Sequence, residues 1–286
     1  MKASPVLVLF LFFFLTNGLA NAEESCNLRF APLPMESREA IVKQFKPMFI
    51  YIQEKTGCKI EFEYSDDYVE ILNKMKSNSV DLAYLGPLPY VILKKEYDDV
   101  SPVVLFKESS GEPSYTCCVI DNANSKTDLS TLKNSKVALT QPLSTCGYLS
   151  TNGIMRDNGN SLSNNLYKYL DRHDDVALAV ARGEYSVGGL KTAIAKKYTH
   201  LGVNIIAETD KLPGFALVVN SRTVSQEVIS KIHNALISLQ PKGKDSELLA
   251  SWGANIKFGT SPASDKDYDA VRKLLGNESI PSTGNF

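Results

Sequence analysis

The sequence predicts a two-lobed α/β fold, each lobe a mixed sheet flanked by helices, with a ligand cleft at the hinge. Three patterns carry this expectation. Strand-like and helix-like segments alternate from Leu28 to Lys95 in the order βαβαβα, which builds a sheet with helices on its faces. A second α/β run occupies the middle of the chain, residues 121–209. A strand-like run at Gly214–Asn220 and a helical tail then follow. One unit is therefore inserted into another, the chain crosses twice, and the cleft between the lobes is the natural ligand site. The lobes are expected over 23–120 plus 210–286, and over 121–209.

Leu28–Leu33 reads as the first strand. Ser37–Thr56 reads as a helix, with Ile41, Phe45, Phe49 and Ile52 on one face and Gly57 as its stop. Lys59–Tyr64 alternates as a strand, and Tyr68–Ser77 is a helix closed by Asn78. Val80–Gly86 is a short buried strand, and Leu88–Lys95 a helix. Strands at Ser101–Lys107 and Ser114–Asp121 lead into the second unit. There, Lys136–Thr140 is a strand, a helix follows Cys146, and the polar run Arg156–Asn165 is a loop. Asp174–Gly183 is a helix, Tyr185–Leu190 a strand, Lys191–Tyr198 a helix and Val203–Thr209 a strand. From Ser225 the tail reads as largely helical, with Ile229, Ile232, Leu236 and Leu239 at helical spacing.

Charge is nearly balanced, 31 Lys and Arg against 32 Asp and Glu, which excludes the basic footprint of a nucleic-acid binder or a polybasic membrane patch. The first residues form a leader: Lys2, the apolar run Pro5–Leu15, then Ala20-Asn21-Ala22 with small residues where a signal peptidase reads. The apolar run is shorter than the roughly 20 residues that span a bilayer. Residue Glu23 stands three before Cys26, so no lipobox precedes that cysteine. The expectation is a signal peptide over 1–22, cleavage after Ala22 and a soluble, monomeric, exported product.

Five cysteines follow the leader, and an exported chain meets an oxidising compartment. Cys26 and Cys58 each sit just before a strand, so parallel neighbouring strands would bring them to one end of the sheet, where they can bridge. Adjacent Cys117 and Cys118 point to opposite faces of a strand and do not suit each other.

The stretch QPLSTCGYLS, Gln141–Ser150, joins a strand to a helix and places Ser144, Thr145, Cys146 and Gly147 at the junction. Short polar side chains and the first amides of a helix, all facing one way, suit an anion. An ordinary helix cap is the plain alternative.

With DYVEIL, VDLAYLGPLPYV, STCGYL, RHDDVALAVARGE and LPGFALVV in this order and spacing, the chain resembles the periplasmic substrate-binding proteins of phosphate, phosphite and phosphonate ABC transporters, the phosphonate-binding type. That resemblance implies a type II-like periplasmic binding protein. It implies that Ser144, Thr145 and Cys146 hold the ligand's oxyanion, with Cys146 a departure because a thiol donates poorly where the family has a hydroxyl. It implies ligand contacts from His173, Tyr68 and Tyr115, whereas a helix cap and half-buried packing are their plain alternatives. Tyr84 is expected in the cleft wall, with packing alone as the alternative. Family members that bind aminoalkylphosphonates carry acidic residues where this chain has Ala193 and Phe215, and Lys191 nearby would repel a cation. An unpaired buried ammonium is costly, so the expected ligand is a small oxyanion without an amine.

Three functions fit these residues. The first is capture of a small phosphorus oxyanion for an ABC transporter permease. The second is a sensor presenting a phosphorus or arsenic oxyanion to a membrane histidine kinase, with Cys117 on the same face as Tyr115 and close to Cys146, as two thiols or a disulfide. The third, least favoured, is an enzyme with a Cys146–His173 dyad. No spacing suggests a metal site or a cofactor.

Overall fold

The structure, a computed structural model, describes residues 26–35 and 37–286. The leader and its cleavage site lie outside the described residues.

The first lobe opens with β1 (Asn27–Pro32), α1 (Arg38–Thr56), β2 (Lys59–Phe62), α2 (Tyr68–Lys76), β3 (Leu82–Leu85), α3 (Pro87–Glu96) and β4 (Val100–Phe106). Helix α1 starts where Ser37 accepts from the Ala40 amide and stops at Gly57, whose φ of 76° suits a residue without a Cβ. Helix α2 is capped by Asp67, which accepts from the Glu70 amide. The crossing is a two-stranded ribbon, β5 (Ser114–Tyr115) running out; its return partner is β11, given below.

The second lobe holds β6 (Cys117–Asn122), β7 (Lys136–Leu139), α4 (Ser150–Asp157), β8 (Leu166–Tyr169), α5 (His173–Ala181), β9 (Val187–Lys191), α6 (Thr192–Ala195) and β10 (Val203–Glu208). The chain returns through β11 (Leu212–Pro213), antiparallel to β5, and enters β12 (Ala216–Asn220). It finishes with α7 (Gln226–Ile237), α8 (Ser246–Ala250), β13 (Thr260–Pro262) and α9 (Asp269–Leu275).

The first sheet has the order β13-β4-β12-β3-β1-β2, and the second β10-β6-β9-β7-β8. Strands β1, β2 and β3 are parallel, whereas β12 wedges antiparallel between β3 and β4. All five residues of β12 are buried because both sheet faces are covered. Alternation along β3 shows the layering. Leu82 and Tyr84 join the core beneath α1 and α7, while Ala83 and Leu85 join the one beneath α2, α3 and α9.

Two features depart from the pattern read in the sequence. The polar run ends in a strand, β8, whose Tyr167 and Tyr169 stack in a T-shape 6.1 Å apart on one face. The tail is not helical throughout, since β13 pairs antiparallel with β4 and extends the first sheet. After α9 the chain passes to the second lobe, where the Tyr169 hydroxyl donates to the Pro281 carbonyl and the Tyr167 amide donates to Asn285 Oδ1.

Cys26 and Cys58 are bonded, their Cα atoms 4.5 Å apart, at the amino ends of parallel β1 and β2. The bond closes a loop with a sequence separation of 32. Replacing both with Ala is expected to lower unfolding free energy by about 3–4 kcal/mol, from the greater entropy of the open unfolded chain. Urea titration checks this. Ligand affinity should not change, because the cleft lies at the opposite, carboxyl end of these strands.

Candidate functional site

The carboxyl ends of both sheets face one narrow cavity, the usual ligand position in open α/β sheets. It is lined by Leu33, Tyr68, Gly86, Pro89, Tyr115, Ser144, Thr145, Cys146, His173, Lys191 and Phe215. Leu33 follows β1, Gly86 follows β3, Ser144 and Thr145 follow β7, and Lys191 ends β9. Seven of the residues singled out in the sequence thus converge there: Tyr68, Tyr115, Ser144, Thr145, Cys146, His173 and Lys191.

The turn after β7 is built by local hydrogen bonds. The Ser144 amide donates to the Gln141 carbonyl and the Gly147 amide to the Ser144 carbonyl, each at 3.0 Å. Hydroxyls from α4 hold it from behind: Ser150 donates to the Thr145 carbonyl at 2.6 Å, and Thr151 to that of Cys146 at 3.4 Å. A Cβ on Gly147 would sit 2.8 Å from Thr140 Oγ1 and 2.9 Å from the Gln141 carbonyl, so no larger residue fits without moving the turn. Gly147 does not line the cavity; its part is to let the turn close. The Ser144 side chain caps nothing in its own helix and faces the cavity.

Thr145 bridges the lobes. Its Oγ1 accepts from the Leu88 amide at 3.0 Å, and its hydroxyl also meets that of Tyr115. Proline at 87 and 89 strips the start of α3 of two amides, leaving Leu88 to present the positive end of that helix to Thr145. Burial pushes the phenol groups of Tyr68 and Tyr115 well above their ordinary range, so both remain protonated donors.

His173 opens α5 and accepts from the Lys191 amide through Nδ1 at 3.1 Å. Desolvation, and then the Lys191 charge, bring its pKa down to about 4. The ring is therefore neutral at physiological pH, its proton sits on Nε2, and that N–H is what it offers the cavity. Above pH 6.5 folded and unfolded chains both hold it neutral. As pH falls from 6.5 to about 4 the unfolded chain takes up a proton that the folded protein refuses, so stability drops by roughly 2–3 kcal/mol and then levels. Urea titrations at pH 7 and pH 4 on the wild type and His173→Gln should show that extra acid loss in the wild type alone.

Lys191 stands between the inner cavity and an outer chamber. Its Nζ pairs with Glu108 Oε1 at 2.7 Å, and lies 4.9 Å from the Tyr115 ring centre and 5.5 Å from that of Phe215. The outer chamber is lined by Met35, Tyr84, Arg172, His173, Asp174, Lys191, Ile194, Phe215 and Asn255. Tyr84 belongs to this wall and to the core. It stacks on Phe215 at 5.1 Å and packs edge-on against Phe45, and it does not reach the inner cavity. Glu108 carried no signal in the sequence, since a lone Glu in a loop announces nothing until Lys191 is seen against it. Leu33 was equally silent, and Gly86 and Pro89 lay within the motif VDLAYLGPLPYV without being assigned to the site.

Cys117 and Cys146 are bonded to each other, with Cα atoms 5.0 Å apart. Cys146 therefore has no thiol to act as a nucleophile, and His173 Nδ1 is engaged by a backbone amide, so the Cys–His dyad is not formed. The same bond removes the thiol pair that a thiophilic oxyanion would need. Among the described residues, no group of three His, Cys, Asp or Glu side chains could hold a metal ion.

A two-lobed α/β fold with a ribbon hinge and a donor-lined cleft defines a periplasmic binding protein. This chain belongs to the family of periplasmic substrate-binding proteins of phosphonate ABC transporters, which it matches over residues 30–268. It is 25% identical over 271 residues to the phosphate-import protein PhnD of Mycolicibacterium smegmatis, covering 85% of this chain and 83% of that one. It is also 25% identical over 252 residues to the phosphonates-binding periplasmic protein of Escherichia coli, covering 82% and 72% of the two chains. Among solved structures, PhnD1 of Prochlorococcus marinus in complex with methylphosphonate superposes with a TM-score of 0.74 at 14% identity, over 88% of this chain and 97% of that one. A binding-protein component of a phosphonate ABC transporter from Pseudomonas aeruginosa gives 0.72 at 20% identity, over 88% and 86%. The family places the protein in the periplasm as a transporter component.

Proposed function

We propose that this protein captures a small phosphorus oxyanion without an amine, namely phosphate, phosphite or a simple alkylphosphonate, and delivers it to the permease of an ABC transporter without chemical change. The observation that supports this most is the convergence of five neutral donors on one cavity: the hydroxyls of Ser144, Thr145, Tyr68 and Tyr115, and the His173 N–H. Such donors stabilise an anion through charge-assisted hydrogen bonds, and the two helix starts behind them add to the field. Among the described residues Lys191 is the one cation lining the cavity, and it is already matched by Glu108, which leaves no spare carboxylate there for an ammonium.

In this reading the lobe that carries the first sheet and the lobe that carries the second, which begins with β6 at Cys117 rather than at residue 121, close on the ligand about the β5–β11 ribbon. The protein acts as a monomer, after removal of residues 1–22.

Isothermal titration with phosphate, phosphite, methylphosphonate, 2-aminoethylphosphonate, arsenate and sulfate tests the proposal. Binding of one of the first three, and none of the aminoalkyl compound, is the expected result. Tight binding of 2-aminoethylphosphonate, or of sulfate alone, would overturn it.

A further inference from the structure

We infer that the Cys117–Cys146 disulfide is the positioning device of the oxyanion site, and that the protein without it captures its anion more weakly. This rests on the function proposed above and deepens it.

The bond joins the two halves of the ligand-facing surface within the second lobe. Cys146 lies in the turn that carries Ser144 and Thr145, and itself lines the cavity. Cys117 opens β6 two residues after Tyr115, and its Cα partner across the sheet is Lys191. The Lys191 amide in turn holds His173. A single covalent link therefore fixes the turn relative to Tyr115, Lys191 and His173.

The two ends of the link differ in rigidity. Cys117 is locked in its sheet: its amide donates to Thr209 Oγ1 at 3.1 Å, and its carbonyl accepts from the Thr209 amide at 2.9 Å. The turn departs from helical geometry, with Gly147 at φ −76° and ψ −119°. Beside the hydrogen bonds from the α4 hydroxyls and those of Thr145 with the Leu88 amide and Tyr115, the disulfide is the covalent tie between the turn and β6. A site held in its binding geometry loses less freedom when the ligand arrives, so affinity rises without a new contact.

The link also settles what stands in place of the family's third hydroxyl. With its sulfur bonded, Cys146 brings a covalent anchor and no S–H donor. Neither cysteine is exposed, at 0% and 2%. The one free cysteine among the described residues, Cys118, is buried on the other face of β6, in a different core cluster, so it is poorly placed to exchange with the bond.

The test compares the oxidised wild type with Cys117→Ala/Cys146→Ala, which removes the bond and adds no donor. Isothermal titration with inorganic phosphate and with methylphosphonate reads affinity, and circular dichroism confirms folding at the temperature used. At least a tenfold loss of affinity in the folded variant is expected. Equal affinity with a lowered melting temperature means that the bond serves stability alone, and overturns the inference while leaving the proposed function standing. If the variant does not fold, wild type reduced with a phosphine under folding conditions, with thiols counted, is measured against the same two outcomes. If the oxidised wild type binds neither probe, the proposed function fails and this inference with it.

Discussion

Replacing His173 with Ala, or Thr145 with Val, is expected to reduce anion affinity by at least about 100-fold. A hydrogen bond to a charged partner contributes roughly 1.5–3 kcal/mol, which is about 10- to 150-fold in a dissociation constant. Each substitution removes more than one such group. His173→Ala takes away the Nε2–H donor and also the acceptor of the Lys191 amide, freeing the backbone that carries Lys191. Thr145→Val preserves shape but removes the hydroxyl that faces the cavity, meets Tyr115 and accepts from the Leu88 amide. That amide is then left without its partner at the start of α3, so closure of the lobes weakens along with the ligand contact. Titration of each variant with whichever phosphorus oxyanion the wild type binds provides the measurement. Affinity within threefold of wild type for both would place the anion elsewhere.

The second large effect concerns specificity. Lys191→Met is expected to admit 2-aminoethylphosphonate, to which the wild type should be indifferent, with a gain of tens-fold in affinity. Removing the ammonium leaves Glu108 without its partner in a partly buried position, which is unfavourable until another cation fills the place. The vacated spot lies beside the rings of Tyr115 and Phe215, at 4.9 Å and 5.5 Å from the original Nζ, so an ammonium there gains cation–π attraction as well as the carboxylate. A methyl thioether is close to isosteric with the lysine stem, and the Lys191 amide still reaches His173. Phosphate affinity should fall in the same variant, because the carboxylate now faces the anion unscreened. A variant that still ignores the aminoalkyl ligand would show that Glu108 is too far from the phosphorus site to choose its substituent.

Thr145 and His173 stood out in the chain because short polar groups at a strand-to-helix junction have few common uses, and because the surrounding segments match the family. The specificity device did not stand out. Ala193 and Phe215 suggested a site without carboxylates, yet the fold brings Glu108, from the loop after β4 and 83 residues away in the chain, against Lys191. Its charge is matched by the lysine it meets, so the proposed exclusion of amines rests on a different arrangement from the one read in the sequence.

By itself the sequence determined the elements whose causes are local. Ser37 and Gly57 bound α1, Asn78 follows the end of α2, and the continuous apolar run Leu82–Leu85 marks a strand buried on both faces. It also placed Cys26 and Cys58 at one end of neighbouring strands, since parallel pairing follows from the βαβ order. Only the tertiary structure decided that β12 wedges between β3 and β4, that β13 leaves the helical tail to extend the sheet, and that Cys146 pairs with Cys117. The reason is physical. A cap, a turn or a helical face is set by residues within a few positions of one another. Strand order, the choice of disulfide partner and the meeting of Lys191 with Glu108 depend on which distant surfaces bury each other best, and no local pattern records that choice.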